Sequence, residues 1–158
     1  MVEEDPLTWE TEPPENFLIK HLLYRGINWG IWQYWESLDN IEPNFFKREE
    51  IKRRQNLSVD WSKHGKPEFT LRRLGNDRKE WGIAEIIIGD FKRLNEKKNL
   101  SLSLQHDPQR EPDPKGFRNR AHTLILGWNP RSISMIREEL SEITQWVPNL
   151  KPIKDDNP

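Results

Sequence analysis

The segment Asn129–Pro148, NPRSISMIREELSEITQWVP, decides how the rest of the chain is read. Asn129 is a helix cap and Pro130 suits the first helical position, where its missing N–H costs nothing. Ile133, Ile136, Leu140, Ile143 and Val147 then follow at spacings of 3, 4, 3 and 4, which predicts an amphipathic helix with a single apolar stripe. Glu138, Glu139 and Glu142 face water, and Pro148 ends the helix. Such a stripe must cover something apolar.

Working back from that helix, the upstream sequence supplies a sheet for it to cover. LSVDW (57–61) alternates Leu57, Val59 and Trp61 with Ser58 and Asp60, the pattern of a half-buried strand. WGIAEIIIG (81–89) is an Ile-rich buried strand between glycines, LSLSLQH (100–106) alternates again, and AHTLILG (121–127) is a further strand. FLIKHLLYRGI (17–27) reads as a helical start running into a strand around Leu22–Arg25. Pro67 and Gly75 bracket a short helix, PEFTLRRL. Asp90 caps another, DFKRLN, which stops near Asn95. FFKREEIKRR (45–54) reads as a solvated helix face. The predicted fold class is α+β: a mostly antiparallel sheet of about four strands packed by the C-terminal amphipathic helix. It occupies a single domain, residues 16–148, between an acidic extended arm (1–15) and a polar C-terminal tail (149–158).

Composition narrows the function classes. The 158 residues are 34% hydrophobic and 32% charged, a poor composition for a large dry core, but eight Trp and six Phe argue against disorder. No apolar run approaches the roughly 20 residues of a membrane span, and the acidic start is the reverse of a signal peptide. With no cysteine there is no disulfide, thiolate metal site or cysteine nucleophile, and a cytoplasmic protein is expected. The net charge is −1, yet residues 1–15 hold six acids and no Lys or Arg, so the other 143 residues carry +5. The arm reads chiefly as a solvated tail, with docking on a basic surface of its own chain or of a partner as the alternative.

Neither a Walker loop nor GxGxxG, GxSxG or HExxH occurs, no cofactor is implied, and no two histidines are four apart as a helical metal clip requires. His106 ends one strand and His122 begins the next, so antiparallel pairing would make the imidazoles neighbours, with Asp107 placed to orient one of them. Such a pair can do acid–base work or ligate a metal, but the favoured reading is a structural pair tying down the proline-rich loop between them. Asp60 can orient a base or bond a loop amide. Arg25, Ser58 and Glu85 follow the Arg/Ser/Glu order of some NAD-processing folds, at unspecific spacing. Trp29, Trp32 and Trp35 read first as a packed aromatic cluster under a loop, and otherwise as a ligand-stacking platform or aromatic anchors for a protein partner. Lys47, Arg53, Arg54, Arg118 and Arg120 offer phosphate contacts for nucleic acid. The favoured expectation is a non-enzymatic interaction or accessory module that binds a protein through the Trp-rich surface and the acidic arm. The alternatives are a small hydrolase or NAD-directed enzyme using His106, His122 and Asp60, and a nucleic-acid-binding accessory protein.

LYR (23–25), LSVDW (57–61), HDP (106–108), RAHTLILG (120–127) and a closing helix together resemble a family of small uncharacterised bacterial proteins, over about residues 22–147. The resemblance implies a bacterial cytosolic protein and places Asp60, His106, Asp107 and His122 in a shared pattern. It implies no activity, and the acidic arm and segment 28–35 stand outside it.

Overall fold

Six antiparallel strands form one sheet in the computed structural model, which describes residues 8–28, 41, 43, 46 and 48–153. The strands are β1 (Leu22–Asn28), β2 (Leu57–Trp61), β3 (Trp81–Ile87), β4 (Ser103–His106), β5 (His122–Leu126) and β6 (Thr144–Trp146), in the order β4-β5-β2-β1-β3-β6. Among the described residues, four α-helices accompany them: α1 (Arg48–Arg54), α2 (Pro67–Arg73), α3 (Ile88–Lys98) and α4 (Ile133–Glu142). Among the described residues, no helix is long and apolar enough to cross a membrane.

Strand alternation divides the core. Leu23, Val59, Trp61, Ala84, Ile86 and Ile125 face one side and pack with Ile51, Phe91, Ile136 and Leu140 from α1, α3 and α4. Tyr24 and Ile83 face the other side and pack with Leu71 of α2 and with Val147 and Leu150.

The α+β class and the antiparallel pairing agree with the sequence reading, but six strands replace about four, and the closing helix is shorter than its stripe. After Asn129 the chain makes a turn, with the Arg131 N–H on Asn129 Oδ1 at 3.0 Å and the Ser132 N–H on Asn129 O at 2.9 Å, and the helix starts only at Ile133. It ends at Glu142, where the Thr144 hydroxyl donates to Leu140 O at 2.6 Å. Thr144–Trp146 then pairs with β3, opposing Ala84↔Trp146 and Ile86↔Thr144. The β-branched and aromatic residues of TQWV suit a pleated edge that buries Trp146, and Pro148 stops the chain beyond it. Val147 matched the helical spacing by coincidence.

Two other boundaries move for tertiary reasons. Helix α3 starts at Ile88 with no connecting loop, because the Ile88 and Gly89 N–H groups bond His21 O (2.9 Å) and Ile19 O (3.0 Å). It runs past Asn95 to a left-handed Asn99 (φ 51°). The strand expected over 100–106 is confined to its second half. Ser101 has φ 61°, and both polar atoms of the Asn95 amide clamp the Leu102 backbone at 2.8 Å. Gly127 makes this possible: its φ is +87°, and a Cβ there would lie 2.2 Å from Ser101 O.

Candidate functional site

Strands β1 and β2 are paired only at Leu23↔Trp61 and Tyr24↔Asp60. Beyond that point β1 stays with β3 as far as Asn28↔Trp81, and β2 stays with β5 as far as Leu57↔Ile125. The sheet therefore parts between Arg25–Asn28 and Leu57–Val59, and the parting forms a cleft of about 400 Å³. It is lined by Arg25 and Asn28 of β1, Ser58 and Asp60 of β2, Glu50 and Arg54 of α1, Thr70 and Arg73 of α2, and His122 of β5. Three guanidinium groups thus meet two carboxylates.

The Arg25 guanidinium bridges the parting, donating from Nη1 to Ser58 O at 2.9 Å, with Glu50 at 3.7 Å from Nη2. Burial pushes its pKa down, while Glu50 and Asp60 pull it back up. The group stays charged because a guanidinium starts so far above neutrality. Arg25 Nε, Arg73 Nε and Asn28 Oδ1 are buried without a hydrogen-bond partner among the described residues. A buried donor left unpaired costs about 1–3 kcal/mol, so polar atoms in this state call for an explanation.

Asp60 is fully engaged. Its Oδ2 accepts from Thr70 Oγ1 and Arg73 Nη2, both at 2.7 Å, and its Oδ1 accepts from Asn119 Nδ2 at 2.8 Å. One buried carboxylate thereby ties α2 and the 107–120 loop to the sheet. Asn119 is held in place by paired backbone bonds with Gln109 at 2.8 and 2.9 Å.

His122 stands opposite Asp60 in the register and is buried. Its Nδ1 lies 3.0 Å from Asp107 O and 3.1 Å from Asp107 Oδ2, and its Nε2 lies 3.2 Å from Ser58 Oγ. A carbonyl and a carboxylate only accept hydrogen bonds, so Nδ1 carries the proton. In the neutral ring, Nε2 then accepts from the Ser58 hydroxyl.

His106 belongs elsewhere. It opposes Thr123, one residue on from His122, and a one-residue offset in a strand puts the side chain on the other face. The two imidazoles therefore sit on opposite sides of the sheet. His106 stacks on His64 (centroids 4.9 Å apart) beside Trp61. Its Nδ1 accepts the Glu12 N–H at 3.0 Å, and its Nε2 donates to Arg120 O at 2.7 Å. The Glu12 carboxylate is paired with Lys63 and His64, and the Arg120 Nε–H bonds Thr8 O at 2.8 Å. Residues 8–12, read from sequence chiefly as a solvated tail, are instead clasped to their own chain by these contacts. Potential ligand atoms of Glu12, His64 and His106 lie within 4.8 Å of one another. Each is already committed to a hydrogen bond, and the Lys63 ammonium touches the same carboxylate, so the trio reads as a clasp and not as a cation site.

This clasp responds to acid. Burial alone would raise the Glu12 pKa, but hydrogen bonds from Lys63, Asn16 and His64 outweigh it and hold the value at about 2, below the ordinary 4.5. Burial lowers the His64 pKa from 6.5 against the pull of Glu12. A lowered carboxyl pKa contributes stability above 4.5 that is lost as pH falls toward 2. A lowered imidazole pKa contributes stability above 6.5 that is lost below it. Both effects have the same sign, so the stability of the folded chain falls from about pH 6.5 downward. Glu12→Gln at pH 7 is expected to speed amide exchange of residues 9–12 roughly three- to tenfold, measured by NMR. Unchanged protection would show that the carboxylate does not hold the arm.

The remaining sequence candidates disperse. Glu85 opposes Tyr24 and accepts from Gln145 Nε2 at 2.9 Å, outside the cleft that Arg25 and Ser58 share. Arg118 and Arg120 line a different groove of about 720 Å³, with Trp9 and Phe69. Arg53 is exposed on α1, and Arg54 pairs with Glu50 at 3.7 Å. Trp29, Trp32, Trp35 and Lys47 lie outside the described residues. Arg73, Glu12 and His64 were not singled out from sequence. The one signal for Arg73 was its place three residues after Thr70 on a short helix, which puts both on one face.

Comparison with family models, curated proteins and solved structures finds no match to the chain.

Proposed function

We propose that the chain binds a small anionic ligand, bearing a carboxylate or phosphate group, in the cleft between β1 and β2. The observation that carries this reading is the pair of buried, unpartnered guanidinium Nε atoms of Arg25 and Arg73 at one enclosed polar cleft. Guanidinium forks match the oxygens of carboxylates and phosphates, and a small rotation of each plane would bring donors onto such a group. Arg54 adds charge at the rim, and the cleft has an excess of one positive group over its two acids.

Two charge-assisted contacts, partly screened at the mouth, correspond to a Kd on the order of 1 mM for a minimal anion. Calorimetry with inorganic phosphate, and with succinate as the carboxylate probe, is expected to detect such binding by at least one of them and to show it weakening with salt. Arg25→Gln should reduce affinity roughly tenfold or more. Arg54→Gln alters an exposed residue and leaves the fold alone, so its expected loss of a few fold separates a binding defect from a folding one. Failure of the unaltered protein to bind either anion would overturn the proposal.

A further inference from the structure

The hydrogen-bond chain on the cleft wall points to chemistry. We infer that Ser58, His122 and Asp107 form an acyl-transfer relay, in which Ser58 attacks the carbonyl of a small ester whose anionic group is held by the cleft arginines. The inference rests on the anion-binding reading for its substrate class, but not for the relay itself.

Three features support it. The distances are those of a nucleophile, a base and an orienting group in series: 3.2 Å from Ser58 Oγ to His122 Nε2, and 3.1 Å from His122 Nδ1 to Asp107 Oδ2. The tautomer is dictated by the partners, since both groups on Nδ1 can only accept, and this leaves Nε2 as the proton acceptor that a serine nucleophile needs. Placement is the third feature. Ser58 and His122 both line the cleft, His122 is buried, and the Arg25 guanidinium is bonded to the Ser58 carbonyl, so cationic donors stand next to the nucleophile.

The step balances without any added reagent except water. Ser58 Oγ bonds to the carbonyl carbon while its proton passes to His122 Nε2. The bond from carbon to the leaving oxygen then breaks, and the departing alkoxide takes that proton. Water repeats the sequence on the acyl-serine, its proton moving to Nε2 and then to Ser58, which is released with a carboxylic acid as product. Asp107 touches neither substrate nor leaving group; it is a positioning residue that holds the ring in this tautomer and orientation.

The test uses the full chain and a fluorophosphonate probe, which loses fluoride as Ser58 Oγ bonds phosphorus. Intact-mass analysis is expected to show one adduct, mapped to Ser58 by peptide sequencing and absent in Ser58→Ala. Asp107→Asn changes a half-exposed side chain and spares the fold, and it is expected to slow labelling roughly 10- to 100-fold, because the Asp107 backbone carbonyl still holds Nδ1. No adduct at Ser58, or an adduct formed at a rate indifferent to Asp107→Asn, would overturn the relay. Phosphate and succinate calorimetry on Ser58→Ala separates the two readings. Anion binding without Ser58 labelling overturns the relay and leaves the anion seat. Labelling without anion binding leaves the relay and overturns the anionic substrate class.

Discussion

Trp61→Ala is expected to remove about 4 kcal/mol of stability, the upper range for deleting a buried aromatic ring. Trp61 has no exposed surface and stands at the meeting point of strand, arm and histidine cluster. Its ring is 4.1 Å from Phe17 and within 5.6 Å of His21, His64 and His106, centroid to centroid. Its Nε1–H donates to His21 Nδ1 at 3.1 Å. The cavity left by alanine has no close substitute to collapse into it, because the neighbours are held by their own hydrogen bonds. Trp61→Phe fills most of that space, and His21 Nδ1 keeps the Leu18 N–H at 3.1 Å, so this variant should cost under about 2 kcal/mol. Urea unfolding measures both. A Trp61→Ala cost below about 1 kcal/mol would mean that the ring cluster is not a packed core. Since whole domains are stable by only about 5–15 kcal/mol, the expected loss brings the protein close to unfolding at 37 °C.

Asp60→Ala, at the neighbouring residue, is expected to cost about 3 kcal/mol for a different reason. Removing one partner of a buried ionic network leaves the others uncompensated, at about 3–5 kcal/mol. The lower end applies because Arg73 is one-fifth exposed and regains some water. Thr70 Oγ1 and Asn119 Nδ2 lose their acceptor at the same time. The damage should be local: exchange protection falls in α2 and in the 107–120 loop, while the face containing Trp61 keeps its own. Asp60→Asn keeps one acceptor oxygen and should lose about half as much. A stability loss equal in both variants, or protection lost evenly over the whole chain, would contradict a local tether.

These two neighbours show how much of the fold could be read in advance. The alternation of LSVDW puts Trp61 in the core and Asp60 on the opposite face, and period-two patterning states that without coordinates. The same reasoning placed β3 and β5 and the helix from Pro67, whose Pro and Gly punctuation is local chemistry. It misplaced the end of the closing helix, since Ile143 and Val147 fit the helical period while the pairing of Thr144–Trp146 with β3 depends on residues some sixty positions away.

The site was less legible. Asp107 orienting an imidazole was foreseeable from HDP, and so was an interest in Asp60, but not which histidine would take part. His106 and His122 both border the loop, and only the register, His106↔Thr123 and Asp60↔His122, puts one beside Ser58 and the other beside Trp61. Arg73 and Glu12 had no motif to announce them.

Local pattern alone thus determined the α+β class, the buried and solvent-facing sides of most strands, and the presence of an acidic arm, because those follow from periodicity and charge between near neighbours. Tertiary structure decided where the sheet parts, which imidazole meets the serine, and which guanidinium groups are buried together. Those are distances between residues far apart in the chain, set by register and packing, and no local spacing encodes them.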